Sequence, residues 1–211
     1  DSIEVALDKS KKIANSISII GKHSKIVHIS TLSLIVSGPK NKKIKTPSYE
    51  LGPWTGCYAQ AKALSETILA QHPNTVIILP ALVTGGTHGI IPEHDLFKIA
   101  MEACMETKTM PIGKRKLSAM DVETTAKAIR ILSFVKPGIY PLASKTKTSM
   151  KDLSQMTGFP MINNWQCKNG LGKLAFEKAK NQNDKYNTYD LFLATKWKLN
   201  CKKTDAILKN N

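Results

Sequence analysis

The sequence predicts an α/β fold in which part of a doubly wound parallel sheet precedes a smaller, mostly helical C-terminal lobe. Residues 25–29 and 75–79 are short, β-branched segments, a composition typical of buried parallel strands. Between them, apolar residues recur at helical spacing from about residue 54 to residue 71. Because a strand, a long helix and a strand in this order form a right-handed βαβ unit, we expect the sheet to be parallel.

The other elements follow from the same kinds of pattern. Apolar residues among lysines predict a helix over residues 3–20, and Gly21 is expected to end it. Ser149 followed three residues later by Asp152 predicts a capped helix over residues 149–158. Further helices are predicted over residues 96–106, 120–134, 171–179 and 189–199, a strand over residues 139–142, a loop over residues 39–53 and a frayed end over the last dozen residues.

The composition indicates a folded protein. The chain has 211 residues, of which 42% are hydrophobic and 22% are charged. A chain of this length buries roughly 70% of the surface that it exposes when unfolded, so a sizeable core is expected. The long apolar run at residues 76–82 is far shorter than the roughly 20 residues that a membrane span needs. The sequence therefore predicts no membrane span.

The positive charge comes almost entirely from lysine. The chain carries 31 Lys and Arg against 16 Asp and Glu, a formal net charge of +15, and its two arginines are Arg115 and Arg130. Proteins that read base edges or clamp phosphates commonly use the planar guanidinium group. The composition therefore makes nucleic acid an unlikely partner and favours a solvated basic surface, with attraction of another anionic partner as the alternative.

Cysteine usage and the first residues both indicate a cytoplasmic protein. Cys57, Cys104, Cys167 and Cys201 are widely spaced and form no Cys-x-x-Cys pair, so reduced thiols are expected. Residues 1–10 mix acidic and basic groups where a secretory leader carries an apolar stretch.

Polar side chains that can carry chemistry gather at the predicted carboxyl end of the first strand. Ser30 and Thr31 follow that strand, and Tyr58 and Lys62 lie four residues apart near the start of the next helix, on one face. Binding crevices of open α/β sheets lie outside the carboxyl ends of strands. A neighbouring ammonium favours a phenolate, so Tyr58 would exchange a proton with a carbonyl oxygen that Thr31 hydrogen-bonds. The competing interpretation of the Tyr58 and Lys62 spacing is a surface lysine beside a half-buried tyrosine.

Three other groups of side chains are weaker candidates. Metal-binding residues occur near position 90, but they lie across a proline-containing loop, and no metal site is predicted; they are His88, Glu93, His94 and Asp95. Cys57 has no histidine close in the sequence and is interpreted as a buried bystander rather than a nucleophile. Four methionines are interpreted as core residues, with the lining of a flexible apolar pocket as the alternative; they are Met101, Met105, Met110 and Met120.

Several segments together resemble one known family, the extended short-chain dehydrogenase/reductases. The segments are Ile26-Val-His-Ile-Ser-Thr31, Tyr58-Ala-Gln-Ala-Lys62, Val76-Ile-Ile-Leu-Pro80 and Ser118-Ala-Met-Asp-Val122. Within that family the sequence is most similar to the thioester reductase and fatty acyl reductase branch, both in the segment around Ser30 and in Asn164-Trp165. The resemblance spans roughly residues 3–165.

The resemblance implies an NAD(P)H-dependent reductase that acts on a carbonyl, with an acyl thioester on a carrier protein or coenzyme A as its substrate. Thr31, Tyr58 and Lys62 would be catalytic, and Ser30, Tyr58, Lys62 and Pro80 would bind the cofactor. NADP is favoured over NAD. The superfamily commonly forms dimers, so a homodimer is the oligomer that the resemblance implies.

The resemblance also divides the chain. Residues 1–86 would be the C-terminal half of a Rossmann-like NAD(P)-binding domain, and residues 87–211 would be a substrate-binding lobe with a basic tail.

Two departures from the family pattern bear on activity. Leu79 stands where the family commonly has an arginine before the proline. In addition, none of the 12 glycines belongs to the family's N-terminal glycine-rich turn, whose backbone amides hold the cofactor pyrophosphate. A complete member would need roughly a hundred more residues ahead of Asp1, so a truncated chain is expected, active once that part is supplied. The alternative is a degenerate member that binds an acyl or carrier partner without catalysis.

Overall fold

The computed structural model of the chain describes residues 3–32, 34, 56–86, 95–113, 116–163, 165–166 and 200–210. Its helices are α1 (Ile3–Ile20), α2 (Gly56–Leu69), α3 (Leu96–Thr107), α4 (Val122–Leu132), α5 (Met150–Thr157) and α6 (Lys202–Lys209), with a 3₁₀ turn at Gly21–His23. Its strands are β1 (Ile26–Ile29), β2 (Thr75–Pro80), β3 (Leu82–Thr84), β4 (Met110–Pro111), β5 (Lys116–Leu117), β6 (Ala119–Asp121), β7 (Gly138–Leu142), β8 (Thr148–Ser149) and β9 (Met161–Ile162).

The chain divides into two compact units, each assembled from separate stretches. The first unit holds residues 1–81, 125–142 and 199–211, and the second holds residues 82–124 and 143–198. The boundary expected at residue 86 divides the chain by proposed function, whereas these units are defined by their compactness. The expected boundary therefore stays a prediction.

A parallel three-stranded sheet in the order β1, β2, β7 organises the first unit. Ile26 pairs with Thr75, and Val76 pairs with Gly138, so both neighbours of β2 run in its direction. Every residue of β2 is buried, as expected for a central strand covered on both faces. The predicted α/β fold with a parallel sheet is therefore confirmed.

Helix α1 packs against α2 beside the sheet. Ala14 of α1, Leu69 of α2 and Ile26 of β1 form one buried cluster. At the end of α1 the chain passes so close to β1 that a Cβ added to Gly21 would lie 2.5 Å from the Cδ1 atom of Ile26. A side chain at position 21 would force the buried Ile26 side chain to shift, so glycine suits this position, and the helix ends where the sequence predicts.

The second unit contains three two-stranded pairs and the helices α3 and α5. Strands β3 and β6 are parallel, β4 and β9 are parallel, and β5 and β8 are antiparallel. The predicted cap of α5 is present, because the backbone N–H of Asp152 donates to the Ser149 hydroxyl (3.1 Å) and the Ser149 N–H donates to the Asp152 carboxylate (2.7 Å). Gly158 ends this helix with a left-handed φ of 73°.

The structure corrects two expectations. The end of the chain was expected to fray, but residues 202–209 form α6, which contacts β7. Thr204 is buried in that contact region, and the Lys203 ammonium lies 4.4 Å from the centre of the Tyr140 ring, so packing on the sheet stabilises a helix that is polar in sequence. Met105 was expected in the core and is 62% exposed, whereas Met110 is fully buried.

The predicted loop at residues 39–53 and the predicted helices at 171–179 and 189–199 lie outside the described residues. Among the helices that are described, none has the length and hydrophobicity needed to cross a membrane.

Candidate active site

The Lys62 side chain reaches the carboxyl end of β1. Its Nζ donates a hydrogen bond to the backbone oxygen of Ile29, at a distance of 3.0 Å. Ile29 is the last residue of β1, and Ser30 and Thr31 follow it directly. The ammonium of Lys62 therefore lies at the end of the strand that Ser30 and Thr31 follow.

Ser30 and Thr31 run beside the end of β2. The backbone N–H of Ser30 donates to the Ile78 oxygen, and the N–H of Leu32 donates to the Pro80 oxygen, both at 2.8 Å. Thr31 lies between these two bonds, so it faces the last residues of β2. The structure thus brings Ser30, Thr31, Lys62 and Pro80 to one edge of the sheet.

Tyr58 is the third residue of α2, one helical turn before Lys62. The backbone position agrees with the predicted helical pair. The position of its side chain lies outside what the structure describes.

Burial shapes the electrostatics of this region. Lys62 is half-buried, and desolvation lowers the pKa of its ammonium, while the Glu66 carboxylate acts in the opposite direction. His28 lies on β1, two residues before Ser30. Burial, assisted by the Lys62 ammonium, lowers the pKa of His28 from its ordinary value of 6.5 to about 4. His28 is therefore neutral at physiological pH.

Glu66 and His28 are the residues of this region to which the sequence analysis gave no role. Glu66 is fully buried although it carries a carboxylate, and His28 has no hydrogen-bond partner for its Nε2 atom among the described residues. Signals for both exist in the sequence. Glu66 follows Lys62 at the i+4 spacing, and His28 alternates with the buried Ile26, so it shares the inward face of β1.

The Ser30 hydroxyl is also noteworthy. Ser30 is buried, and within the described stretches its Oγ has no hydrogen-bond partner. A buried hydroxyl with unused hydrogen-bonding capacity at the carboxyl end of a parallel strand fits a polar ligand atom.

Of the other candidates singled out in the sequence, only some lie among the residues that the structure describes. Asp95 caps α3, where its carboxylate accepts a hydrogen bond from the Lys98 N–H (2.7 Å), while His88, Glu93, His94 and Cys57 lie outside the residues whose side chains are described. No group of three metal-binding side chains occurs in the part of the chain that the structure describes. Of the cysteines whose side chains are described, Cys104 is buried and Cys201 is partly buried.

Comparison with known proteins identifies solved structures with a similar fold. No family model matches the sequence, and no curated protein sequence matches it significantly. Among solved structures, the chain resembles the reductase domain of the aureusimine biosynthetic cluster (TM-score 0.69, 16% identity), covering 99% of this chain and 60% of that one. It also resembles the terminal R domain from the myxalamid PKS-NRPS pathway (TM-score 0.59, 20% identity), covering 71% of this chain and 42% of that one.

A third similar structure is the UDP-glucuronic acid 4-epimerase of Bacillus cereus, in complex with NAD (TM-score 0.60, 13% identity). The match covers 96% of this chain and 62% of the epimerase. The chain thus spans less than two thirds of the length of each of these three proteins. Its parallel sheet and flanking helices therefore share the Rossmann-like α/β fold of these three proteins.

Proposed function

We propose that the chain carries the catalytic residues of an NAD(P)H-dependent reductase of the extended short-chain dehydrogenase/reductase kind. The proposed substrate is a carbonyl, in the first place an acyl thioester on a carrier protein or coenzyme A. The observation that carries the proposal is the hydrogen bond from Lys62 Nζ to the Ile29 oxygen, because it joins the Tyr-x-x-x-Lys helix to the Ser-Thr end of β1.

The proposed roles follow from the chemistry of the three side chains. Thr31 donates its hydroxyl proton in a hydrogen bond to the substrate carbonyl oxygen, and Tyr58 supplies a proton to that oxygen as negative charge develops on it. Lys62 lies one turn from Tyr58 and stabilises the phenolate that remains. Together these groups place proton donors around one oxygen atom, which is what carbonyl reduction requires of the protein.

The residues at this edge fit the nicotinamide end of a dinucleotide. The buried Ser30 hydroxyl and the half-buried Lys62 ammonium supply polar contacts for a ribose, and Pro80 ends the neighbouring strand. A bound nicotinamide supplies the hydride. The glycine-rich turn that would hold the pyrophosphate is not formed by the 12 glycines of this sequence, so we expect full affinity to need a further polypeptide segment.

The direct test is the Tyr58→Phe variant in the longest natural form of the protein that contains residues 1–211. Loss of the phenol should reduce acyl-thioester-dependent NADPH oxidation by about a hundredfold or more, with the circular dichroism spectrum unchanged. Tyr140→Phe is the matched control. The Tyr140 hydroxyl donates to the oxygen of Lys136, which precedes β7 and so lies at the amino end of the sheet, whereas the site lies at the carboxyl end. Wild-type turnover in Tyr58→Phe would exclude the proposal.

A second candidate is a family member that binds an acyl or carrier partner without catalysis. The observation that favours it is Leu79, which stands where the family commonly has an arginine before the proline. Titration of the 211-residue protein with NADPH, followed by fluorescence, separates the two candidates. Micromolar binding supports the reductase, whereas acyl-carrier binding without any response to NADPH supports the second candidate.

We also propose NADP as the preferred cofactor, a homodimer as the assembled form and the cytoplasm as the compartment. The wide spacing of the four cysteines, which form no Cys-x-x-Cys pair, supports a reducing compartment.

A further inference from the structure

A fully buried carboxylate lies one helical turn beyond Lys62. Glu66 has a relative exposure of 0%, and on α2 it follows Lys62 by four residues, a spacing that makes two helical side chains neighbours. A carboxylate is costly to remove from water unless an opposite charge lies near it. An ionised Glu66 therefore needs a cation nearby, and the Lys62 ammonium is the cation of the same helix face.

The Lys62 ammonium takes part in two interactions. It donates to the Ile29 oxygen of β1 at 3.0 Å, and it interacts electrostatically with Glu66. Burial disfavours the charged ammonium and lowers the pKa of Lys62, and the Glu66 carboxylate acts in the opposite direction. The reaction proposed above needs Lys62 in its charged form, because a neutral amine would not stabilise the Tyr58 phenolate.

We propose that Glu66 is a positioning residue of the active site, whose buried carboxylate keeps the Lys62 ammonium charged and directed at the end of β1. The role of Glu66 in the reaction rests on the proposed function. The effect of Glu66 on the charge of Lys62 is independent of that function.

Other titratable groups near Lys62 do not replace this effect. His28 is the titratable residue of β1, and because its pKa is about 4 it is uncharged in the range where the lysine titrates. On α1, which packs against α2, the charged side chains are all exposed; they are Glu4, Asp8, Lys9, Lys11 and Lys12. Cys57 and Tyr58 are the remaining titratable residues of α2, and their side chains are outside the described set.

The chain contains a matched pair for comparison. Lys98 and Glu102 on α3 have the same i, i+4 spacing, but their side chains are 31% and 53% exposed, and the Nζ to Oε1 distance is 3.8 Å. Exposed pairs of this kind interact weakly and are screened by salt. The effect of Glu66 on Lys62 should therefore exceed the effect of Glu102 on Lys98, and it should persist at high salt.

The test is a titration of the lysine side chains of the 211-residue protein by NMR, with ¹³C-labelled lysine. Lys62 is assigned from the signal that disappears in Lys62→Arg. In Glu66→Gln, the pKa of Lys62 should fall below its wild-type value, while Glu66→Asp, which retains the charge, should restore part of the difference. In Glu102→Gln, which removes the carboxylate of the exposed pair on α3, the pKa of Lys62 should keep its wild-type value. An unchanged Lys62 pKa in a folded Glu66→Gln protein would overturn the proposal.

A measurement on the wild-type protein keeps the proposal testable if Glu66→Gln does not fold. The ¹³C shift of the Glu66 carboxyl group reports its charge at neutral pH, and the proposal requires an ionised carboxylate. A protonated Glu66 at neutral pH would overturn it.

Since neither titration uses cofactor or substrate, their result is independent of whether Tyr58→Phe loses turnover. If turnover depends on Tyr58, Glu66→Gln should also move the alkaline limb of the pH-rate profile to lower pH, and Glu66→Asp should restore it.

Discussion

The Nζ atom of Lys62 lies 3.0 Å from the backbone oxygen of Ile29, so a helical side chain is tied to the last residue of a parallel strand. The next two residues are Ser30 and Thr31, which continue beside the end of β2 through hydrogen bonds to Ile78 and Pro80. This one contact fixes the position of α2 with respect to the sheet at the point where the proposed chemistry takes place. Consequences for turnover, for pH dependence and for stability follow from this arrangement.

Replacement of Thr31 by valine should remove the hydrogen bond to the substrate oxygen while preserving the shape of the side chain. If Thr31 polarises the carbonyl, kcat should fall roughly a hundredfold, which is typical for loss of one donor to a developing oxyanion. Thr31→Ser keeps the hydroxyl and is the control, and it should retain most of the turnover. Steady-state rates of NADPH oxidation measure both variants, and equal rates in Thr31→Val and wild type would contradict the role of Thr31.

His28 should make the folded protein sensitive to acid. Its pKa is lowered from 6.5 to about 4 by burial first and by the Lys62 ammonium second. Between these two pH values the unfolded chain binds more protons than the folded chain. The stabilisation is therefore fully present above about pH 6.5 and is lost as the pH falls towards 4, with a difference of about 3 kcal/mol at most.

The check is urea unfolding of wild type and His28→Phe at several pH values in that range. The free energy of unfolding of His28→Phe should depend less steeply on pH than that of wild type. His23→Phe, a change at an exposed position, is the matched control and should keep the wild-type slope. Parallel curves for wild type and His28→Phe would show that His28 does not carry the acid sensitivity.

The middle strand of the sheet should dominate the stability of the first unit. Ile78 is fully buried, so Ile78→Ala should lower the free energy of unfolding by about 2–5 kcal/mol through lost apolar burial and the cavity left behind. Ile13 on α1 is 62% exposed, and Ile13→Ala should change the free energy of unfolding by about 0.5 kcal/mol or less. Urea denaturation measures both, and similar losses for the two variants would contradict the assigned core.

Elements of both units could be predicted because their signals are local. Helix α1 with Gly21 at its end, the two β-branched strands and the Ser149 cap each depend on residues close together in the chain. The residues of the candidate site were predicted for the same reason, since Ser30 and Thr31 follow a strand and Tyr58 and Lys62 begin a helix. The short strands β3 to β6 could not be predicted, because two or three residues carry no periodicity and their pairing partners are distant in sequence.

By itself, the sequence determined the α/β class, the order of the main elements and the types of side chain available at the carboxyl end of β1. The tertiary structure decided the charges and the contacts at that place. Only folding puts Glu66 in a fully buried position, removes His28 from water and brings Lys62 to the Ile29 oxygen. It also turns the polar end of the chain into α6 against β7. The physical reason is that burial and desolvation depend on neighbours contributed by remote segments, which propensity and spacing along the chain do not encode.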